Sequence, residues 1–228
     1  MVDKPRRRKK TGPNAKKLAA VAIAVIIVGA IGWYSYTVYS AKPCYGQTPK
    51  YAAVTVGYVN GTSVGSFEMK LFQECAPKTV ANFISLAQSG FYDNLTWHRI
   101  EKNFVIQTGD PTTRNGAGNR SLWGQGNSGT QIPFEYSPGL HNYLGYVAMA
   151  STGQKVGGTS QWYINIKNNT NLDVNYAVFG VVISGLDVVQ KIGNVPTKSV
   201  QVSQNPVSYQ DEPVTPILVT SVTISNTP

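Results

Sequence analysis

Beyond residue 50 the chain is dominated by eight runs rich in β-branched and aromatic residues: 54–59, 66–72, 96–100, 104–108, 146–150, 161–166, 177–182 and 217–224. Runs of this length bounded by turn residues predict strands. Only two segments carry helical spacing. Pro77 opens the first, with Val80, Phe83, Ile84 and Ala87 at three- and four-residue intervals until Gly90. Leu186, Val188, Val189 and Ile192 repeat the pattern until Gly193. The 178 residues after Lys50 suit one domain with a sizeable core. Many strands with two well-separated helices predict a mainly β fold, a closed barrel with a helix over each end.

The start of the chain reads differently. Residues 18–39 carry no charge, and as a helix they would reach roughly 33 Å, enough for a bilayer core. Residues 1–17 hold eight basic residues and one acid, Asp3, a net +7 of the chain's +9. This asymmetry predicts a basic cytoplasmic tail at 1–17, a transmembrane signal anchor at 18–40, and a domain outside the cytoplasmic membrane. Trp33, Tyr34, Tyr36 and Tyr39 gather at the outer end, as an interfacial aromatic belt does. The rival reading is a cleaved signal peptide, but Tyr39 fits poorly at a cleavage site after Ala41. Residues 41–50, with Pro43, Gly46 and Pro49, read as a linker, and 51–228 as the domain. That domain is close to neutral, so the basic tail is a topology signal and no nucleic-acid partner is expected.

The stretch 97–110, Trp-His-Arg-Ile-Glu-Lys-Asn-Phe-Val-Ile-Gln-Thr-Gly-Asp, is the most specific in the domain. Arg99 sits in a strand-like apolar run, and a cation among packing residues needs a reason, since an unpaired buried charge is costly. The stretch resembles the signature strand pair of the cyclophilins, peptidyl-prolyl cis-trans isomerases, with Trp97 replacing the family's Phe. Further resemblances follow in order. They are Ala76–Phe83, the Asn115-Gly116-Ala117-Gly118 loop, Met149-Ala150-Ser151, 157–164, Leu172-Asp173 and Tyr176–Gly180. The likeness runs from about Tyr51 to Ile224, and Tyr176 stands where prokaryotic members often carry Tyr.

The resemblance implies that architecture as a closed eight-stranded antiparallel β-barrel capped by two helices, and the runs above also number eight. It further implies an isomerase of Xaa-Pro bonds that needs no cofactor and no metal. Arg99, Phe104 and Gln107 map onto the family's catalytic positions. Val105, Gly116, Ala150, Ser151, Gln161, Tyr163, Leu172 and Tyr176 map onto its substrate-binding positions. Strand parity agrees: Val105 and Gln107 share a face, Gln161 and Tyr163 share a face, and Trp162 points inward. His98 is expected to be a satisfied core histidine. Asn171 replaces the rim Trp of many members, which predicts weak cyclosporin binding. The alternative function is a non-catalytic cyclophilin-like module that holds Pro-containing segments in the same groove. The expected partners are Pro-containing polypeptides and, through residues 18–40, the membrane, with the domain acting as a monomer.

Cys44 and Cys75 are the only cysteines. If strands 54–59 and 66–72 form a hairpin, the start of one lies beside the end of the other. The two thiols then come within reach of a disulfide, the alternative being two separate thiols. No Gly-x-Ser-x-Gly elbow or metal-ligand spacing occurs.

Overall fold

A computed structural model describes Cys44, residues 48–200 and residues 209–228. The basic tail, the expected anchor and most of the linker lie outside the described residues. Among the described residues no helix is long and apolar enough to cross a membrane.

Eleven strands and two α-helices are described. The strands are β1 (Lys50–Tyr58), β2 (Ser63–Leu71), β3 (Leu95–Thr96), β4 (Arg99–Glu101), β5 (Val105–Thr108), β6 (Tyr146–Met149), β7 (Trp162–Asn165), β8 (Val178–Ser184), β9 (Thr197–Val200), β10 (Tyr209–Pro213) and β11 (Ile217–Ser225). Helix α1 spans Pro77–Gln88 and α2 spans Leu186–Gly193. Nine strands form one antiparallel sheet in the order β3-β11-β1-β2-β8-β6-β7-β5-β4, and β9 pairs with β10 separately. The sheet's two ends are consecutive in the chain, joined only by Trp97 and His98, so the sheet curls round on itself.

Three features differ from the sequence expectation. The run at 96–100 is two short strands, because the chain turns from one end of the sheet to the other at Trp97-His98 and pairs β11 before it and β5 after it. The sheet is therefore a curled nine-stranded one rather than a closed eight-stranded ladder. The β9–β10 hairpin is the second difference, since no strand is expected there. Its residues, Thr-Lys-Ser-Val and Tyr-Gln-Asp-Glu-Pro, lack the apolar alternation that marks a half-buried strand. β1 also begins at Lys50, whose partner is Leu71, so the ladder starts one residue before the expected domain boundary.

The main core fills the concave side of the sheet. Ala52, Val54 and Val56 of β1 and Phe67, Met69 and Leu71 of β2 alternate into it. Aromatic side chains meet at its centre: Trp162 lies edge-on to Trp97 at 5.3 Å and to Phe83 at 5.7 Å. Phe83 comes from α1, whose buried stripe of Thr79, Val80, Phe83 and Ala87 follows the 3-4 spacing. The first turn of α1 has no side-chain cap of its own. The Glu135 carboxylate, from the long connection between β5 and β6, accepts from the Thr79 backbone N–H at 2.7 Å and from Lys78 at 3.1 Å. An anion there satisfies orphan donors and matches the helix dipole.

Candidate functional site

Register across four strands builds the site. Arg99 on β4 is paired with Gln107 on β5, Gln107 with Tyr163 on β7, and Tyr163 with Ala148 on β6. Directly paired residues project from the same face. The neighbouring row of Ile100, Ile106, Ile164 and Val147 projects from the other face, into the main core. Trp162 is fully buried there as well. The outer face thus carries Arg99, Gln107 and Tyr163 in line.

Beside that line lies a second apolar cluster. Its buried members are Phe72, Val105, Ala148, Tyr163 and Val178. Phe104, Ala150, Leu172 and Tyr176 pack against it, as do Cys44 and Cys75. The structure therefore brings together, from four segments, six of the expected substrate and catalytic residues. Tyr176 meets Tyr163 edge-on at 5.9 Å. The guanidinium of Arg99 lies 5.8 Å from the centre of the Phe104 ring. Cys44 and Cys75 are joined by a disulfide with Cα atoms 4.9 Å apart, next to Phe72 of this cluster.

The polar members are held from outside the sheet. Gln107 Nε2 donates to Gln161 Oε1 at 2.9 Å, and Gln161 Nε2 donates to the carbonyls of Gly124 and Gly126 at 2.9 and 2.7 Å. Those glycines are fixed in turn by buried Asp110, whose Oδ2 accepts from the N–H groups of Gly124 and Gly126. Gly109 lets the two glutamine-bearing segments close: its φ is +93°, and a Cβ there would stand 2.3 Å from the Ser160 carbonyl. The Ala150 N–H donates to the Gln161 carbonyl at 2.9 Å, and the Ser151 hydroxyl donates to the Gly153 carbonyl.

Below Tyr163 runs a network of polar side chains. Tyr163 Oη donates to Asn142 Oδ1 at 2.9 Å, which also accepts from Asn165. Burial pushes the Tyr163 hydroxyl well above its ordinary range, with Tyr176 and Asp173 adding to it, so it remains a donor. Asn142 is held by Asp173, which accepts from its backbone N–H at 2.7 Å and pairs with His141. Burial alone would raise the Asp173 carboxyl, but the hydrogen bonds from Asn142 and His141 outweigh it and hold it low. Asn169 extends the network to the Phe104 carbonyl at 2.9 Å.

Some expectations fare differently. Gly116 has φ +66°, and a Cβ there would meet Pro216 at 2.8 Å with Val59 next. The residue packs at the β11 end of the sheet, not on the Arg99 cluster. Asn171 is exposed in the turn Thr170–Leu172. His98 is buried but not satisfied: Thr96 and Gln161 are near the ring, yet neither nitrogen has a partner in hydrogen-bond geometry. Burial pulls its pKa down to about 4, against the opposing pull of Asp110. Sequence reasoning missed the supports, namely Asp110, Asn142, Asp173 and also Asp211, whose carboxylate accepts from Arg99 Nε. Only Asp110 and Asp173 fall inside recognisable motifs. Among the described residues no group of His, Cys, Asp and Glu stands where it would hold a metal.

This curled sheet, with an arginine–glutamine row beside an apolar outer cluster, is that of a cyclophilin. Residues 58–224 match the family described as "Cyclophilin type peptidyl-prolyl cis-trans isomerase/CLD". The chain belongs to that family and so to the peptidyl-prolyl cis-trans isomerases. It is 43% identical over 139 residues to "Peptidyl-prolyl cis-trans isomerase-like 1" of Aspergillus fumigatus, covering 60% of this chain and 82% of that one. It is 35% identical over 183 residues to "Peptidyl-prolyl cis-trans isomerase A" of Dickeya dadantii, covering 78% and 89%. A Cryptosporidium parvum cyclophilin solved in the presence of the dipeptide Ala-Pro superposes with a TM-score of 0.63 at 25% identity, covering 77% of this chain and 98% of that one.

Proposed function

We propose that this enzyme isomerises Xaa-Pro bonds of polypeptides outside the cytoplasmic membrane, assisting their folding, while residues 18–40 tether it as a single-pass protein with its N-terminus inside. The observation that carries the catalytic reading is the Arg99–Gln107–Tyr163 row along the edge of the Phe104, Val105 and Leu172 cluster.

The chemistry needs no nucleophile. The amide barrier is roughly 18–20 kcal/mol and arises from resonance. In the twisted state the prolyl nitrogen regains a lone pair, and a fixed donor aimed at it favours that state over both planar forms. Arg99 supplies the donor, because a guanidinium stays charged and presents its N–H groups in a rigid fork. Phe104, Val105, Tyr163 and Leu172 receive the pyrrolidine ring. Gln107 and Gln161 anchor the peptide on one side, so that only the other side turns, and the backbone at Ala150 and Ser151 adds an extended-chain contact. The dipeptide solved with the Cryptosporidium relative supports a small Pro-containing ligand. The domain acts as a monomer in this reading.

A protease-coupled assay of the full chain with an Ala-Pro tetrapeptide tests the reading. Accelerated cis-trans exchange is the expected result. Measurable peptide affinity without acceleration would move the chain to the non-catalytic binder. Protease added to spheroplasts tests the topology: digestion of the domain with the basic tail spared is expected, and a mature N-terminus near Lys42 would mean a cleaved signal instead.

A further inference from the structure

The described side chains of the β9–β10 hairpin belong to neither apolar cluster. A two-stranded ribbon is marginal by itself in water, so something else must hold it. Ion pairs join its described side chains to the rest of the domain. β10 packs beside β4. Asp211 Oδ2 accepts from Arg99 Nε at 3.4 Å, while Glu101 pairs with the terminal nitrogen of the same guanidinium. The next residue, Glu212, is 5% exposed and pairs with Arg120, with Lys198 at 3.8 Å. Arg120 also stacks over Trp123 at 4.7 Å. Neighbouring residues on a strand leave it on opposite faces, which lets β10 serve both cations.

The two ends of this brace are informative. One carboxylate is on Arg99. The other is on Arg120, at the start of the loop whose Gly124 and Gly126 carbonyls hold Gln161. The hairpin therefore ties the arginine to the segment that positions the glutamines. Arginine carries a long, rotamer-rich stem, and a donor that must meet a pyramidal nitrogen has to be oriented before the substrate arrives. Glu101 comes from Arg99's own strand and contacts the tip. Asp211 arrives from elsewhere and contacts Nε. Two acceptors from two directions fix the guanidinium plane.

We propose that Asp211 is a positioning residue for the isomerisation, with the β9–β10 hairpin acting as an arm that holds the Arg99 guanidinium over the apolar cluster of Phe104, Val105 and Tyr163. This rests on the isomerase reading above. Asp211 does not touch the substrate; it acts through Arg99.

The test compares full-length wild type with Arg99→Ala, Asp211→Asn and Asp211→Glu in the coupled proline-peptide assay, with Tm measured on each. Asp211→Asn is expected to lower kcat about tenfold, the scale of a mispositioned catalytic group, with KM within about twofold. Its Tm should stay within about 2 °C of wild type. Asp211→Glu should recover most of the rate, because it restores an anionic acceptor. The Arg99 Nε–Hε resonance gives a second readout, and should shift in Asp211→Asn and return in Asp211→Glu. Wild-type rate in Asp211→Asn beside an inactive Arg99→Ala would overturn the positioning role and leave the isomerase reading standing. A faster Asp211→Asn would also overturn it, since the arm would then restrain Arg99. An inactive wild type would overturn the isomerase reading and this inference with it.

Discussion

Ile100, Ile106, Ile164 and Val147 form one row across β4, β5, β7 and β6, and Arg99, Gln107, Tyr163 and Ala148 form the next. The rows are a single residue apart on the same strands. The first is at most 1% exposed and is held by packing alone. In the second, the polar side chains are held by residues remote in the chain: Arg99 by Asp211, Gln107 by Gln161, and Tyr163 by Asn142. The inner face tolerates no gaps, because interiors are close-packed. The outer face spends its polar contacts on orientation, and little of its stability should depend on them.

The largest effect should come from the inner face. Trp162→Ala removes a fully buried indole that meets Trp97, Phe83 and Tyr92 edge-on. A loss of roughly 3–5 kcal/mol is expected, read as a shifted urea midpoint with an unchanged slope. A change below about 1 kcal/mol would break the division between the faces, since it would mean the core relaxes around the hole.

His98 should give the next effect, and only in acid. It sits between the two rows in character, buried beside Arg99 yet polar and unpartnered. The folded ring stays neutral down to about pH 4, whereas the unfolded ring takes its proton near 6.5. Between those values the unfolded state binds more protons, so stability falls as pH drops through the window, by on the order of 3 kcal/mol at its end. Glu101 opposes this: burial raises its carboxyl, against Arg99's pull and with help from Asp211, so its protonation favours the folded state as pH falls. Chemical denaturation from pH 7 to 4 should show the loss in wild type and a flatter profile in His98→Gln. Identical slopes would place the acid sensitivity elsewhere.

Arg99→Ala should reverse the pattern of Trp162→Ala. Losing a preorganised donor is expected to lower kcat/KM by about 10²-fold, roughly 2.7 kcal/mol of barrier. The fold should persist, because the main core does not include this side chain. An Arg99→Ala variant as fast as wild type would sink the mechanism. One that unfolds would show that the outer row also carries the structure.

The same division explains which parts of the molecule are legible in the sequence. Alternation gives the inner row directly, and the motif around Arg99 marks the outer one, so six members of the apolar outer cluster are within reach of the sequence. The supports are not. Asp211 lies 112 positions from Arg99, in a strand without apolar alternation. Glu135 caps α1 from 56 residues away, in a loop with no regular structure. Ion pairs and caps of this kind leave no period in a sequence, because their partner is chosen by the fold. The break at Trp97-His98 is hidden for the opposite reason: both sides of it look like good strand.

Gly116 offers the finest test, because family position and geometry disagree about it. By position it lines the substrate groove, and Gly116→Ala should then slow turnover. By geometry its φ of +66° places the added methyl 2.8 Å from the Pro216 Cβ, with Val59 behind it. A left-handed alanine costs about 1–2 kcal/mol before any contact is counted, and Pro216 is a rigid ring that cannot swing aside. The expected outcome is a stability loss of at least about 1–2 kcal/mol, with kcat/KM within about twofold of wild type. The measurement is thermal unfolding and the proline-peptide assay on one preparation. A variant of normal Tm and reduced turnover would return Gly116 to the groove and shift the boundary between the structural and the substrate-facing parts of the loop.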